Sequence, residues 1–171
     1  MKKLLLLVAF STILTIQSQA QYDKGDFLLN AGIGLGYYYA GGVPLLVSGE
    51  WLVTDKISVG PYLGYTTWNY GYFANDYRYT FIDIGARGSY HFSELFGITN
   101  EKLDIYGGVF LGFRTSSFSG PNTAGYVDVY DGGVSTGIHA GARYFFAPKV
   151  AGYGELGYGL APLSIGLTFR F

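Results

Sequence analysis

The final residues of the chain alternate without a break. Leu163, Ile165, Leu167, Phe169 and Phe171 interleave with Ser164, Gly166, Thr168 and Arg170. A period of two is the signature of a strand with one apolar and one polar face. About 9–11 tilted β residues are enough to cross the hydrocarbon core of a bilayer. The same pattern recurs upstream, with charged side chains always kept opposite the aliphatic ones, and it predicts an all-β, eight-stranded antiparallel up-and-down transmembrane barrel.

The first strand is expected over 26–37, with Phe27, Leu29, Ala31, Ile33 and Leu35 facing lipid. The next four fall at 43–53, 57–67, 79–92 and 103–114, showing lipid such residues as Trp51, Leu63, Ile84 and Leu111. The last three fall at 134–146, 150–159 and 163–171. Gly152 and Gly154 land on the outer face of the seventh strand, where lipid-facing bulk is expected. Tight turns at Thr54 to Lys56 and Ala147 to Lys149 share one end of the barrel with a longer segment, 93–102, and with both termini. Membrane barrels keep short turns on the periplasmic side and longer loops outside. The outer loops are therefore expected at 38–42, 68–78, 115–133 and 160–162.

The inward positions collect Glu50, Asp83, Asp104 and Glu155 together with Arg87, Arg114, Arg143 and Arg170, plus His91 and His139. Charges enclosed in a narrow barrel must be paired and hydrogen-bonded, so acids and arginines are expected to neutralise one another. Glu155 and Arg143, on neighbouring strands, are the expected central pair. Glycines interleaved on the same face leave room for the arginines and for Tyr62, Tyr106 and Tyr153. An eight-stranded barrel is just wide enough for side chains to fill it, and a packed polar lumen is expected.

Lys2 and Lys3 precede an apolar run from Leu4 to Ile16, which is followed by Ser18, Gln19 and Ala20. That is the pattern of a cleavable secretory signal over 1–20, with the barrel domain at 21–171. The run is shorter than the ~20 residues of a spanning helix. Export would permit disulfides, but the chain has no cysteine, which also excludes a thiolate metal site. The 17 Tyr, 13 Phe and 27 Gly, with 13% charged residues, suit a lipid-facing sheet with aromatic girdles. A formal charge of −1 without basic clusters leaves no footprint for nucleic acid.

Taken together, the signal, the strand count, the loop asymmetry, the inward charges and the terminal Phe171 resemble the small eight-stranded outer-membrane barrels: the OmpA transmembrane domain, OmpX and the opacity-type, porin-like proteins. The resemblance covers the whole mature chain. It implies a monomer residing in the outer membrane of a Gram-negative cell, in contact with outer-membrane lipid and bearing an extracellular ligand site on its outer loops. It also implies that Phe171 is the assembly signal read by the barrel-insertion machinery. Unlike full-length OmpA, the chain is expected to lack a peptidoglycan-binding domain after Phe171.

Several motifs invite sharper readings. Gly152 to Gly157 spells the GxGxxG string of dinucleotide binders, but that fingerprint needs a helix opening at its glycines, and here it lies within a strand. His91 and Ser93 are spaced as in outer-membrane lipid A deacylases, yet Ser93 falls in the turn and His91 faces Asp104, which reads as a rim ion pair. A triad needs the histidine to activate the serine. His139 shares its inner face with Arg143, with Glu155 roughly across, a cluster read as structural. Asp128 and Asp131 flank the third outer loop and read as a solvated loop edge, because two carboxylates without further oxygen ligands make only a weak site for a divalent cation. Tyr37, Tyr38, Tyr39, Trp68, Tyr70, Tyr72 and Phe73 read as the outer aromatic girdle.

No catalytic, cofactor or metal residues are assigned, and no enzyme is expected. The leading reading is a barrel of structural or surface-interaction role, in adhesion or envelope integrity. A small gated channel or transporter is the alternative, and a lipid-modifying enzyme a distant one. The lumen network is expected to comprise Glu50, Asp83, Arg87, Asp104, Arg114, His139, Arg143, Glu155 and Arg170.

Overall fold

The structure, a computed structural model, describes residues 22–36, 41–72, 75–120 and 132–171, with no side chains described over 70–72 and 75–76. Eight strands close into one antiparallel barrel in chain order: β1 (Phe27–Leu35), β2 (Leu45–Thr54), β3 (Ile57–Tyr72), β4 (Asn75–His91), β5 (Leu103–Ser119), β6 (Gly133–Ala147), β7 (Val150–Tyr158) and β8 (Leu163–Arg170). Closure comes from β1 pairing with β8, with Ala31 opposite Leu167 and Ile33 opposite Ile165. In lipid every backbone polar group must be satisfied within the protein, and a closed barrel does this without leaving an edge.

Parity holds around the ring. Leu45, Leu63, Ile84, Leu111, Ile138 and Leu167 are exposed, while Glu50, Ser58, Asp83, Asp104, Arg143 and Thr168 are buried. Polar groups therefore fill the inside and apolar side chains face out, the inverse of a soluble domain. Gly152 and Gly154 do face outward, into open space. Inside, glycines seat tyrosines. A Cβ on Gly141 would strike the Tyr106 ring, one on Gly85 or Gly112 would strike Tyr62, and one on Gly32 or Gly166 would strike Tyr153.

Three strands are longer than the alternation suggested. β3 runs on to Tyr72, β4 begins at Asn75, and β5 reaches Ser119. The expected loop over 68–78 is therefore mostly a strand hairpin, and the loop after β5 starts later than residue 115. The register shows why. On the outer face, Tyr65 and Ile82 are followed by Thr67, Thr80 and Ser117, then by Asn69, Arg78 and Ser119. On the inner face of the same rows stand Trp68, Tyr79 and Phe118. The polarity inverts because the outer face of the sheet has left the hydrocarbon, so polar side chains now turn outward. β3, β4 and β5 thus form a wall beyond the membrane edge, while β1, β7 and β8 stop low on the opposite side.

That wall corrects the girdle reading for Trp68. Its ring lies inward, stacked 6.1 Å from Tyr79, and Tyr77 stacks on Phe118 at 5.5 Å. Tyr37, Tyr38, Tyr39 and Phe73, like Asp128 and Asp131, lie outside the described residues.

Candidate functional site: a sealed polar lumen

The lumen is organised in layers. At the end with the short turns, Leu28, Leu52, Phe145 and Ala151 point inward from β1, β2, β6 and β7, and all are buried. Tyr22, in the segment before β1, completes this floor at 1% exposure. Its ring meets His91 edge-on at 4.9 Å, and its hydroxyl donates to Asp104 Oδ2 at 2.9 Å. Burial, and then the facing Asp104 charge, push the phenol well above its ordinary range, so it remains a donor. The segment is clipped in place by Gly25 N–H on the Leu52 carbonyl and Lys24 N–H on Asp55.

Above the floor lies the main charge network. Arg143 on β6 donates to Asp104 Oδ2, its paired neighbour on β5, at 3.0 Å and reaches across the lumen to Glu50 Oε1 at 3.1 Å, while its guanidinium lies 3.9 Å over the Tyr106 ring. Glu50 also accepts from Asn30, Ser58 and Ser89, each at 2.8 Å. Arg87 stands between two carboxylates, 3.5 Å from Glu50 and 2.8 Å from Glu155, and Tyr106 donates a further bond to Glu155. Each ion is thus matched by an opposite charge and by hydrogen bonds, which burial in low dielectric requires.

The expected partnership of Glu155 with Arg143 does not occur. Glu155 pairs with Arg87, on the far side of the barrel. Arg143 lies opposite Tyr153 and Glu155 opposite Gly141, so the two are out of register along the wall.

His139 sits close to this network, with Nε2 2.9 Å from Ser89 Oγ. Asp83 and Arg114 form a separate pair at 2.7 Å near the other end of the lumen, bridged by Ser135, and Arg114 also donates to the Gly159 carbonyl. Arg170 lies at the floor's edge, donating to the Pro148 carbonyl with its guanidinium 5.6 Å over the Phe145 ring.

One constellation was legible only in part, because parity set His91 against Asp104 but not against Ser58. His91 Nδ1 lies 3.0 Å from Asp104 and Nε2 lies 3.1 Å from Ser58 Oγ, the order of a nucleophile, base and orienting acid. Ser58, however, donates its proton to Glu50 and is fully buried, so neither a free hydroxyl nor a substrate path exists there. Ser93 is held on the β5 backbone at Leu103 and Ile105. No spacing rule would have found Ser58, because it stands 33 residues from His91 in sequence and meets it only through the β3–β4 pairing.

At the opposite end, among the described residues, the chain folds inward. Pro44 and Ala161 are buried over the lumen, Pro44 accepts from Gly34 N–H, and a Cβ on Gly34 would strike both. Between the ends lies a cavity of about 40 Å³ lined by Asn30, Arg87, His139, Tyr153 and Glu155 among others. At ~10–15 Å³ per water this holds roughly three waters.

The fold is shared with solved outer-membrane barrels. Over 88% of this chain and 98% of that chain, the structure is similar to the outer membrane protein OprG from Pseudomonas aeruginosa, with a TM-score of 0.65 and 14% identity. It is similar to Ail, the attachment invasion locus protein of Yersinia pestis, over 86% of this chain and 99% of that one, with a TM-score of 0.55 and 15% identity. It is also similar to Neisserial surface protein A, over 85% and 94%, with a TM-score of 0.54 and 17% identity. No protein-family model matches the sequence, and neither does any curated protein. At these identities the likeness is one of fold, and the chain is a small eight-stranded β-barrel of the outer-membrane type.

Proposed function

We propose that this barrel serves the outer membrane as a structural and surface-interaction protein rather than as a pore. The observation that carries this reading is the cross-section through Glu50, Asp104, Tyr106 and Arg143, each at most 1% exposed. A conducting path needs a continuous water column, and side chains packed this tightly leave none. Contact with the surroundings then falls to the end away from the short turns. There β3, β4 and β5 rise beyond the membrane and present Asn69, Arg78 and Ser119 outward, with Arg78 donating to Asn69 at 3.0 Å.

On this reading residues 1–20 are removed on export, the short turns face the periplasm, and the wall faces the environment. The barrel is a monomer with no catalytic role. Phe171, exposed and packed 6.2 Å from Phe27 on the lipid side, is the assembly signal offered to the insertion machinery. The similar fold of Ail, an attachment protein by name, supports an adhesive role for the wall.

The test is attachment of cells bearing the protein to surfaces coated with host matrix proteins or glycans. Asn69→Ala with Arg78→Ala should fold and reduce attachment, while Lys149→Ala, at the opposite end, should leave it unchanged. Equal attachment by both variants would count against the wall as the contact surface.

A further inference from the structure

The connection between β4 and β5 is the longest at the short-turn end, and it has a built shape. Phe96 N–H donates to the Phe92 carbonyl and Ile98 N–H to that of Ser93, forming a helical turn. Gly97 sits within it at φ +61°, a conformation glycine adopts without strain. Lys102 N–H donates to the Asn100 side chain, and Lys56 ties the turn to its neighbour through Glu94 at 2.8 Å. This turn holds Leu95 and Phe96 out at 67% and 62% exposure, as bare as lipid-facing Leu111 at 61%.

The aromatic rings show where that patch belongs. Tyr90 faces lipid from β4. Phe92, two residues on, keeps the same face 4.8 Å away, its ring against Gly107 of β5, and Phe96 stacks on Phe92 at 5.7 Å. The ladder is continuous with the lipid-facing band and leads from it directly to Phe96 and Leu95. Two adjacent apolar side chains held this way, beside aromatic rings that favour the interface, match a surface that dips into the headgroup boundary.

We propose that the β4–β5 connection is an interfacial anchor, with Leu95 and Phe96 inserted among the phospholipids of the leaflet at the short-turn end. It pins the barrel's depth on the side that carries the β3–β5 wall. The anchor rests on the membrane-spanning fold and not on the wall's proposed role in attachment.

The test uses the mature chain carrying Trp51→Phe, Trp68→Phe and Phe96→Trp, refolded into phosphatidylcholine vesicles with or without bromine on the acyl chains near the glycerol backbone. Folding is confirmed by the heat-dependent shift in gel mobility. The expected result is blue-shifted emission from residue 96 and a marked loss of fluorescence in the brominated vesicles. The same background with Lys149→Trp in place of Phe96→Trp should be unquenched. Water-like emission without quenching at 96 would overturn the anchor. So would blue-shifted but unquenched emission, which means that protein covers the patch, and so would equal quenching at 96 and 149.

Discussion

Arg143→Met is expected to lower the unfolding free energy of the refolded barrel by ~3–5 kcal/mol, the usual effect of removing one partner from a buried ion pair. Arg143 is 1% exposed and is the one side chain that donates to both Glu50 and Asp104 among the described contacts. Its loss removes the cation that bridges Glu50 and Asp104, leaving Glu50 with Arg87 and Asp104 with His91 and Tyr22, and deprives Tyr106 of the cation stacked on it. Urea unfolding in bilayers, followed by tryptophan emission, reads the effect directly. A change under ~1 kcal/mol, the scale of an exposed pair, would mean that water reaches this layer.

Glu155→Leu should cost somewhat less, toward the lower end of the same ~3–5 kcal/mol range, because Arg87 keeps Glu50 at 3.5 Å as a second partner. The diagnostic is the pattern of rescue. Glu155→Leu combined with Arg87→Met should recover much of the loss. Combined with Arg143→Met the recovery should be smaller, since those two side chains meet only through shared partners such as Tyr106. If rescue follows Arg143 instead, the cross-lumen pairing described above is wrong and the neighbouring-strand pairing holds.

Most of the barrel was legible because one rule, alternation between lipid and lumen, governs every spanning residue. From it came the strand order, the inward set from Glu50 to Glu155, and the outward glycines of β7. The rule assumes a single apolar surround, and it lost the strands where that assumption ends. Asn69, Arg78 and Ser117 look like loop residues in the sequence, yet they continue the ladder outward from Tyr65 and Ile82 through Thr67 and Thr80. Trp68 was misread for the same reason.

The charge network was legible as a composition and not as a set of pairs. Parity places Arg87 and Glu155 inside, but a lumen brings any inward residue within reach of several strands, and only the registers decide which meet. Tyr22 carried no signal at all. It precedes the first strand, has no alternating neighbours, and becomes a floor only because the chain folds back beneath the barrel to reach Asp104.

The central claim is that this lumen is sealed by its own side chains. Steady-state conductance of the refolded mature chain in a planar bilayer tests it most directly. Bilayers are expected to stay at baseline despite a demonstrated insertion of folded protein, because Tyr22 at the floor and Pro44 and Ala161 at the other end are buried over the lumen. A large, persistent conductance from the same preparation would contradict it and make the barrel a channel.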